Sequence, residues 1–447
     1  MENKLPKIFL ERMRSILKDD YDIFLESYSK SPFKGLRVNT LKCSVEKLKN
    51  TLNINLVPSP FFENSFYIDE NIKLGNNPLH HCGAFYLQEP SASGAVNALD
   101  IQSGDKVLDL CAAPGGKSTQ IASQLNGTGL LWSNEIVKKR ATILMSNIER
   151  MGIRNSVVSS TSPEILCTRL QGYFDKVLVD APCSGEGMFR KDIQAINEWS
   201  EEHTKSCAER QLQILESAKL CLKKGGTLVY STCTFSIYEN ENVIEKFIRN
   251  NPDFELVDCN LPYGRSGVNM PQSRRIYPMD GGEGHFIVKL IKNSDDTGYT
   301  ADEIDINNNK SNINKITEEL YKEIFIDDNV PKFTFINDKV IIKPVTPQLN
   351  GLGVIRSGIL FGEIKKNRIE PAHHLFTSSK KENFKNCVDF NVDSNEIDKY
   401  LLGEEIEVDT KLKGYTAVCV NGITLGFGKC SNGRLKNKYP KGLRKVK

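Results

Sequence analysis

Two thiols and one carboxylate stand where they could act on a single substrate. Asp180-Ala181-Pro182-Cys183-Ser184-Gly185-Glu186-Gly187 continues the apolar run Lys176-Val177-Leu178-Val179, and Ser231-Thr232-Cys233-Thr234-Phe235 continues Thr227-Leu228-Val229-Tyr230. Each run reads as a buried strand, and in an open parallel sheet the carboxyl ends of neighbouring strands converge on one crevice. Cys183 lies among Pro, Ser and Gly, a polar loop rather than a core position. A thiolate there is a nucleophile, and a thiol and a carboxylate beside it can move a proton or hold a substrate edge. The competing account is that two of twelve cysteines fell there by chance.

A second constellation follows Val107-Leu108-Asp109-Leu110: Cys111-Ala112-Ala113-Pro114-Gly115-Gly116-Lys117-Ser118-Thr119. A glycine turn between strand and helix lets a ligand approach backbone amides at the positive helix end. Gly116-Lys117-Ser118 matches the end of a phosphate-binding P-loop, but Cys111 stands where that motif needs Gly, and Pro114 removes one amide. A nucleoside-binding loop fits better. Glu135 ends the second strand 20 residues beyond Gly115, where a carboxylate can accept both ribose hydroxyls, and Asp180 borders the same crevice.

These loops need a scaffold, and the sequence supplies an alternation of short apolar runs and amphipathic stretches over 76–292. That pattern predicts an α/β domain with a mostly parallel sheet and helices on both faces. Its strands are expected at Val107–Leu110, Leu130–Ser133, Val157-Val158, Lys176–Asp180 and Thr227–Cys233, with His285–Leu290 closing the sheet. Residues 1–75 read as a small α/β domain, 293–316 as a polar linker rich in Asp and Asn, and 317–447 as a separate α+β module.

At 447 residues, with 39% apolar and 26% charged, the chain has enough core for two or three soluble domains. Met1-Glu2-Asn3-Lys4 leads into polar sequence, no apolar run reaches membrane-span length, and the expected location is the cytoplasm. There the cysteines are reduced, and Cys43, Cys167, Cys221, Cys259, Cys387 and Cys419 read as small buried hydrophobes. His80-His81-Cys82 lacks a second ligand pair, so no metal is expected. Fifty-nine basic against 56 acidic residues give +3, which says little. From Lys429 onward, however, Arg434, Lys436, Lys438, Lys441, Arg444, Lys445 and Lys447 occur without one Asp or Glu, a charge pattern suited to phosphates.

The three loops around Cys111–Lys117, Asp180–Gly187 and Ser231–Phe235 resemble the signature motifs of the RNA cytosine-5 methyltransferases of the RsmB/RsmF/NSUN group. Leu36–Lys42 and Tyr86–Ala92 also resemble family segments, and Lys436–Arg444 resembles the C-terminal module of the RsmF branch. The resemblance implies a Rossmann-like class I methyltransferase core, a PUA-like RNA-binding C-terminal module, and S-adenosylmethionine held by residues 111–117, Glu135 and Asp180. It implies Cys233 as nucleophile and Cys183 as the group assisting release. Carbon 5 of cytosine is too electron-poor to attack a methyl sulfonium, so a thiolate must first add to carbon 6. Asp180 then suits the N3 and amine edge, and Lys117 suits orienting the base or Asp180. The expected partner is ribosomal RNA or the small ribosomal subunit, met by a monomer, with Arg37, Lys42, Lys438 and Lys441 on the RNA track. Alternatives are a tRNA substrate, an assembly factor that only binds RNA, and a P-loop NTPase. One departure stands out: after the third strand the family pattern implies an acidic or amide residue, and this chain reads Ser159-Ser160-Thr161-Ser162-Pro163.

Overall fold

The computed structural model describes residues 5–294, 311–366 and 368–445; the leader reading on residues 1–4, most of the polar stretch 293–316, and Lys447 lie outside them. The described end of that stretch is not linker, because a helix runs over Ser311–Ile324.

Strands β1 (Lys34–Val38), β2 (Val57–Pro58), β3 (Ser65–Ile68) and β4 (Phe85–Leu87) form an N-terminal sheet in the order β2-β3-β1-β4. Since β4 pairs antiparallel with β1, Leu36 opposite Leu87, the N-terminal unit runs beyond the boundary expected at residue 75. The short run Phe85-Tyr86-Leu87 carries too little sequence to be told from the start of the next domain. Helices Lys7–Leu17 and Tyr21–Ser27 bury Phe9, Met13 and Phe24 against Phe189, Phe235 and Tyr277 of the central unit.

The central sheet has a parallel core of β5 (Lys106–Asp109), β6 (Leu130–Asn134), β7 (Ser156–Ser159), β8 (Phe174–Asp180) and β9 (Leu222–Thr232), ordered β7-β6-β5-β8-β9. These strands are apolar without alternation because each face carries its own core. Leu108, Val177 and Tyr230 pack toward helices Glu201–Cys221 and Glu241–Asn250. Val107, Leu178 and Val229 pack toward helices Gly116–Leu125 and Lys138–Arg150. The strand order reverses between β5 and β8, which is where open α/β sheets bind ligands.

Four further strands follow: β10 (Phe254–Val257), β11 (Arg265–Gly267), β12 (Met270–Ile276) and β13 (His285–Lys292). Strand β13 joins β9 antiparallel but does not close the sheet, as β12 and then β11 continue past it. The polar stretch Gln272-Ser273-Arg274-Arg275 within β12 hides that strand from a search for apolar runs.

The C-terminal third is not one separate module. Strands β14 (Thr334–Ile336) and β15 (Lys339–Ile342) precede β16 (Val354–Ser357), which pairs antiparallel with β7 and so belongs to the central sheet. Strands β17 (Ile359–Lys365) and β18 (Arg368–Pro371) complete a sheet ordered β14-β15-β17-β18. Strands β19 (Cys387–Phe390), β20 (Ile406–Glu407), β21 (Gly414–Val420), β22 (Ile423–Ser431) and β23 (Arg434–Asn437) form the last sheet, ordered β19-β21-β22-β23-β20. This sheet shares a core with the N-terminal one, Leu36, Phe66 and Phe85 meeting Tyr400, Val418 and Leu435. Cys387 is only partly buried, at the start of the edge strand β19.

Four of the six histidines lie where these units meet. Nδ1 of His81 is 3.0 Å from the Tyr439 hydroxyl, Nε2 of His374 is 3.2 Å from the Ile153 carbonyl, and the His373 ring packs edge-on to Tyr439. Burial lowers the pKa of His80 and His81 to about 4 and of His373 and His374 to about 3. All lie below the ordinary value of 6.5, so the folded state binds fewer protons than the unfolded one. Their contribution is complete above pH 6.5 and drains as pH falls toward 4. Amide exchange at residues 80–85 and 437–440, corrected for its intrinsic pH dependence, is expected to lose protection over that window before β5 and β8 do. Uniform loss across all three units would contradict this.

Candidate active site

The turn after β5 is held open by its own geometry. Gly115 has φ +115°, and a Cβ there would press on Leu144 Cδ1 at 3.2 Å. The Ala113–Pro114 peptide is cis. Of the loop residues named from sequence, Cys111 and Ala113 line the cavity beside it, whereas the others brace the turn. The Ala112 amide donates to the Asn134 carbonyl, the Pro114 carbonyl accepts from Asn147 Nδ2, and the Gly116 carbonyl accepts from Arg37.

Arg37 is fully buried and also donates to Thr119 Oγ1 at 2.6 Å, so it clamps the turn from the N-terminal unit and is not on an RNA-facing surface. Lys42 is likewise tied inward, donating to the carbonyls of Cys82 and Arg150. Charge alone marked both as surface residues; desolvation against backbone carbonyls is the role they take. Lys438 pairs with Glu370, and Lys441 stays exposed.

The P-loop alternative meets an obstacle in the same helix. Lys117 Nζ is bound to Asp180 Oδ2 at 2.7 Å, and Ser118 Oγ donates to Asp109 Oδ2 at 2.7 Å. Neither the Lys nor the Ser that a phosphate would need points to an empty loop.

A cavity of about 1330 Å³ extends from this turn across the switch point. Asn134, Glu135, Ile136, Val137 and Arg140 line it, as do Asp180, Pro182, Cys183 and Cys233. Glu135 Oε1 accepts from the Val137 amide at 2.9 Å, and Arg140 approaches Oε2 at 3.3 Å. After the third strand, Ser159 is spent on Trp132 Nε1 and Asn134 Oδ1, while Ser162 and the acid Glu164, five residues beyond Ser159, line the cavity. The place of Glu164 in the first turn of helix Pro163–Arg169 was the available signal.

The two thiols meet. Cys183 Sγ and Cys233 Sγ are 3.2 Å apart, both partly buried, and unbonded. The Cys183 thiol hydrogen-bonds Cys233, lowering the pKa of Cys233 against the opposing effects of burial and the Asp180 charge, with Lys117 assisting. The same bond, with burial, raises Cys183 well above the ordinary thiol value. Asp180 ends β8 with Oδ1 accepting from Ser231 Oγ at 2.7 Å and Oδ2 from Lys117. For Lys117, burial works downward, but the attraction and hydrogen bond of Asp180 and the charge at Cys233 leave its pKa raised. The result is one thiol biased toward ionisation beside one held protonated, with the Lys117–Asp180 ion pair on a shared wall.

Carbonyls and amides of the Cys233 loop are pinned from several sides. The Gly187 amide donates to the Cys233 carbonyl at 2.9 Å, so close that a Cβ at Gly187 would lie 3.0 Å from that oxygen. Glu186, fully buried, accepts from the Phe235 amide, Trp199 Nε1 and Arg12. Sequence reasoning placed Glu186 in the loop but gave it no task. His80-His81-Cys82, the one metal-like run, forms no ligand group: their side chains go to the Gly75 carbonyl, Tyr439 and the Leu79 carbonyl.

Family models match along the chain: "16S rRNA methyltransferase RsmB/F" over residues 96–291, the "N-terminal domain of 16S rRNA methyltransferase RsmF" over 5–90, its "first C-terminal domain" over 320–378, and the "Methyltransferase RsmF PUA domain" over 387–445. Ribosomal RNA small subunit methyltransferase F of Vibrio vulnificus is 33% identical, with 98% of this chain and 97% of that protein aligned. This chain belongs to the RsmF-type RNA methyltransferases. The same-named protein of Vibrio campbellii is also 33% identical over equal shares. Among solved structures, a methyltransferase homologue from Pyrococcus horikoshii is 31% identical, with a TM-score of 0.57 over 64% of this chain and 95% of that one. NSun6 from Pyrococcus horikoshii, solved with the S-adenosylmethionine analogue SFG, shares the fold at 24% identity and TM-score 0.59, over 65% of this chain and 99% of that one.

Membership makes this RsmF-type protein an S-adenosylmethionine-dependent RNA (cytosine-5-)-methyltransferase with a Rossmann-like core and a PUA-like C-terminal domain. The donor set fits that methyl donor. A carboxylate for ribose hydroxyls, apolar Ile136 and Val137 for a base, and the wall of the glycine turn for the charged end adjoin one cavity that reaches the thiols. No helix among the described residues is long and apolar enough to cross a membrane.

Proposed function

We propose that this protein methylates carbon 5 of a cytosine in 16S ribosomal RNA, with Cys233 as nucleophile and Cys183 as the group that permits release. The observation that carries the reading is the 3.2 Å thiol pair, with the pKa of Cys233 lowered by Cys183, in the cavity that Asp180 and Glu135 also line.

Cys233 adds to carbon 6 as thiolate, and its electron pair pushes density through the ring to carbon 5. Asp180 is held by Ser231 and Lys117 through one lone pair on each oxygen, and the remaining pairs accept from the exocyclic amine. The Lys117 ammonium behind it offsets negative charge developing on the ring. Glu135 and the glycine turn would hold S-adenosylmethionine, which would supply an electrophilic methyl on a positively charged sulfur. Once Cys233 sulfur is bonded to carbon, its negative charge no longer opposes ionisation of Cys183. Cys183 can then lose its proton to solvent and take the proton from carbon 5. The carbon 5–carbon 6 double bond reforms as the Cys233 sulfur departs with its electrons. The target must be unstacked to reach this wall, so a single-stranded or flipped cytosine in a monomeric, cytoplasmic enzyme's RNA track is the substrate.

The direct test is bisulfite sequencing of 16S and transfer RNA from cells with and without the protein. A cytosine in 16S RNA that becomes convertible on deletion is expected; loss confined to tRNA would overturn the ribosomal reading. A second expectation concerns Glu135: Glu135→Ala should weaken S-adenosylmethionine binding roughly 10- to 100-fold in calorimetry, the range of a lost hydrogen bond to a charged group. Unchanged affinity would remove Glu135 from the site.

A further inference from the structure

The loops that carry the two thiols come from different strands, and something must hold them in register. Glu239 does so on both sides at once. Its Oε1 accepts from the Ser184 amide at 2.8 Å and from Gln211 Nε2 at 3.1 Å; its Oε2 accepts from Ser184 Oγ at 2.5 Å and lies 3.2 Å from Thr234 Oγ1. Gln211 Nε2 also donates to the Pro182 carbonyl at 3.0 Å. One carboxylate therefore fixes Cys183 through the residues before and after it, and Cys233 through its neighbour Thr234. The next residue, Asn240, adds to the grip on Cys233, accepting from Thr232 Oγ1 and donating to the Thr234 carbonyl. Glu239 is fully buried and does not line the cavity with the thiols.

We propose that Glu239 is the positioning residue of the thiol pair, the post to which both cysteine loops are tied so that their sulfurs stay in contact. The proposal rests on the reading of Cys183 and Cys233 as the reacting thiols. A tether differs from a mere charge in what its removal does. The Glu239 charge works upward on the pKa of Cys183, Cys207 and Tyr230 and opposes the lowering at Cys233, and burial lifts its own to about 7, with Glu186 contributing. If charge were its whole role, deleting it would make the thiols more reactive.

The test uses the full-length enzyme without RNA or methyl donor. Diamide oxidises two thiols to a disulfide, taking both protons and both electrons as it becomes the hydrazine. The Cys183–Cys233 cross-linked peptide is counted by mass spectrometry. The sulfurs, now 3.2 Å apart, must close to the roughly 2.05 Å of a disulfide. Glu239→Ala is expected to slow this cross-link at least tenfold, with Glu239→Gln, which keeps the shape, falling between it and the parent. The kcat for methyl transfer should fall about tenfold in Glu239→Ala while the KM for S-adenosylmethionine moves less than twofold. A cross-linking rate in Glu239→Ala equal to or faster than the parent's would overturn the proposal. Should Glu239→Ala not fold, Ser184→Ala must slow the cross-link at least threefold, and a parental rate there would overturn it equally. If Cys233→Ala kept its activity, the catalytic reading would fall while the tether measured this way would stand.

Discussion

Cys233→Ala is expected to cut methyl transfer to 16S RNA by at least about 10³-fold, the scale of losing the nucleophile of a covalent mechanism. The reason is electronic and cannot be bypassed by better binding, because without addition at carbon 6 the ring has no density to offer at carbon 5. Folding should be spared. Cys233 is only partly buried, its neighbours are held by Gly187, Asn240 and Glu186 through Cys233's backbone or adjoining residues, and an alanine keeps that backbone. Melting within a degree or two of the parent and unchanged binding of S-adenosylmethionine, with radiolabel transfer gone, is the full expected pattern. Near-parental transfer would mean that the thiol pair is not the reacting centre.

Cys183→Ala should give a different failure. Turnover is expected to fall about 10²- to 10³-fold, as for removal of a general base, while RNA stays attached to the protein through denaturing electrophoresis. The lost hydrogen bond acts on the first step too. Cys183 lowers the Cys233 pKa, so its removal raises that pKa, and the pH dependence of adduct formation should move upward. Adduct that is absent at every pH would take Cys183 out of release, and a downward shift would contradict the hydrogen-bond assignment.

Sequence exposed the part of this enzyme that local patterns encode. Apolar runs at Val107, Leu130, Val177 and Leu228 became β5, β6, β8 and β9 because strands buried on both faces must be apolar throughout. The glycine turn and the thiols were legible because they directly follow those strands. What escaped depends on contacts between distant segments. Arg37 looked like a surface cation, and only the approach of the N-terminal sheet to Gly116 and Thr119 makes it a buried clamp. Glu239 lies six residues after Cys233, yet its bonds to Ser184 and Gln211 come from the loop after β8 and from helix Glu201–Cys221, which only the folded domain brings together. Strand β16 comes from the chain's last third, where nothing local marks Val354–Ser357 as the edge of the central sheet.

The first thirty residues have a consequence for anyone handling this enzyme. Phe24 meets Phe235 edge-on at 5.6 Å, two residues past Cys233, and Arg12 reaches the Glu186 that holds the same loop. A catalytic fold excised at the boundaries of residues 96–291 would therefore carry every reacting atom yet lack the aromatic packing and the Arg12 contact that the N-terminal helices give the Cys233 loop. Such a fragment should keep the parallel core β5–β9 while losing the edge strand β16, and turn over poorly, and adding helices Lys7–Leu17 and Tyr21–Ser27 as a separate peptide is the complementation most worth attempting.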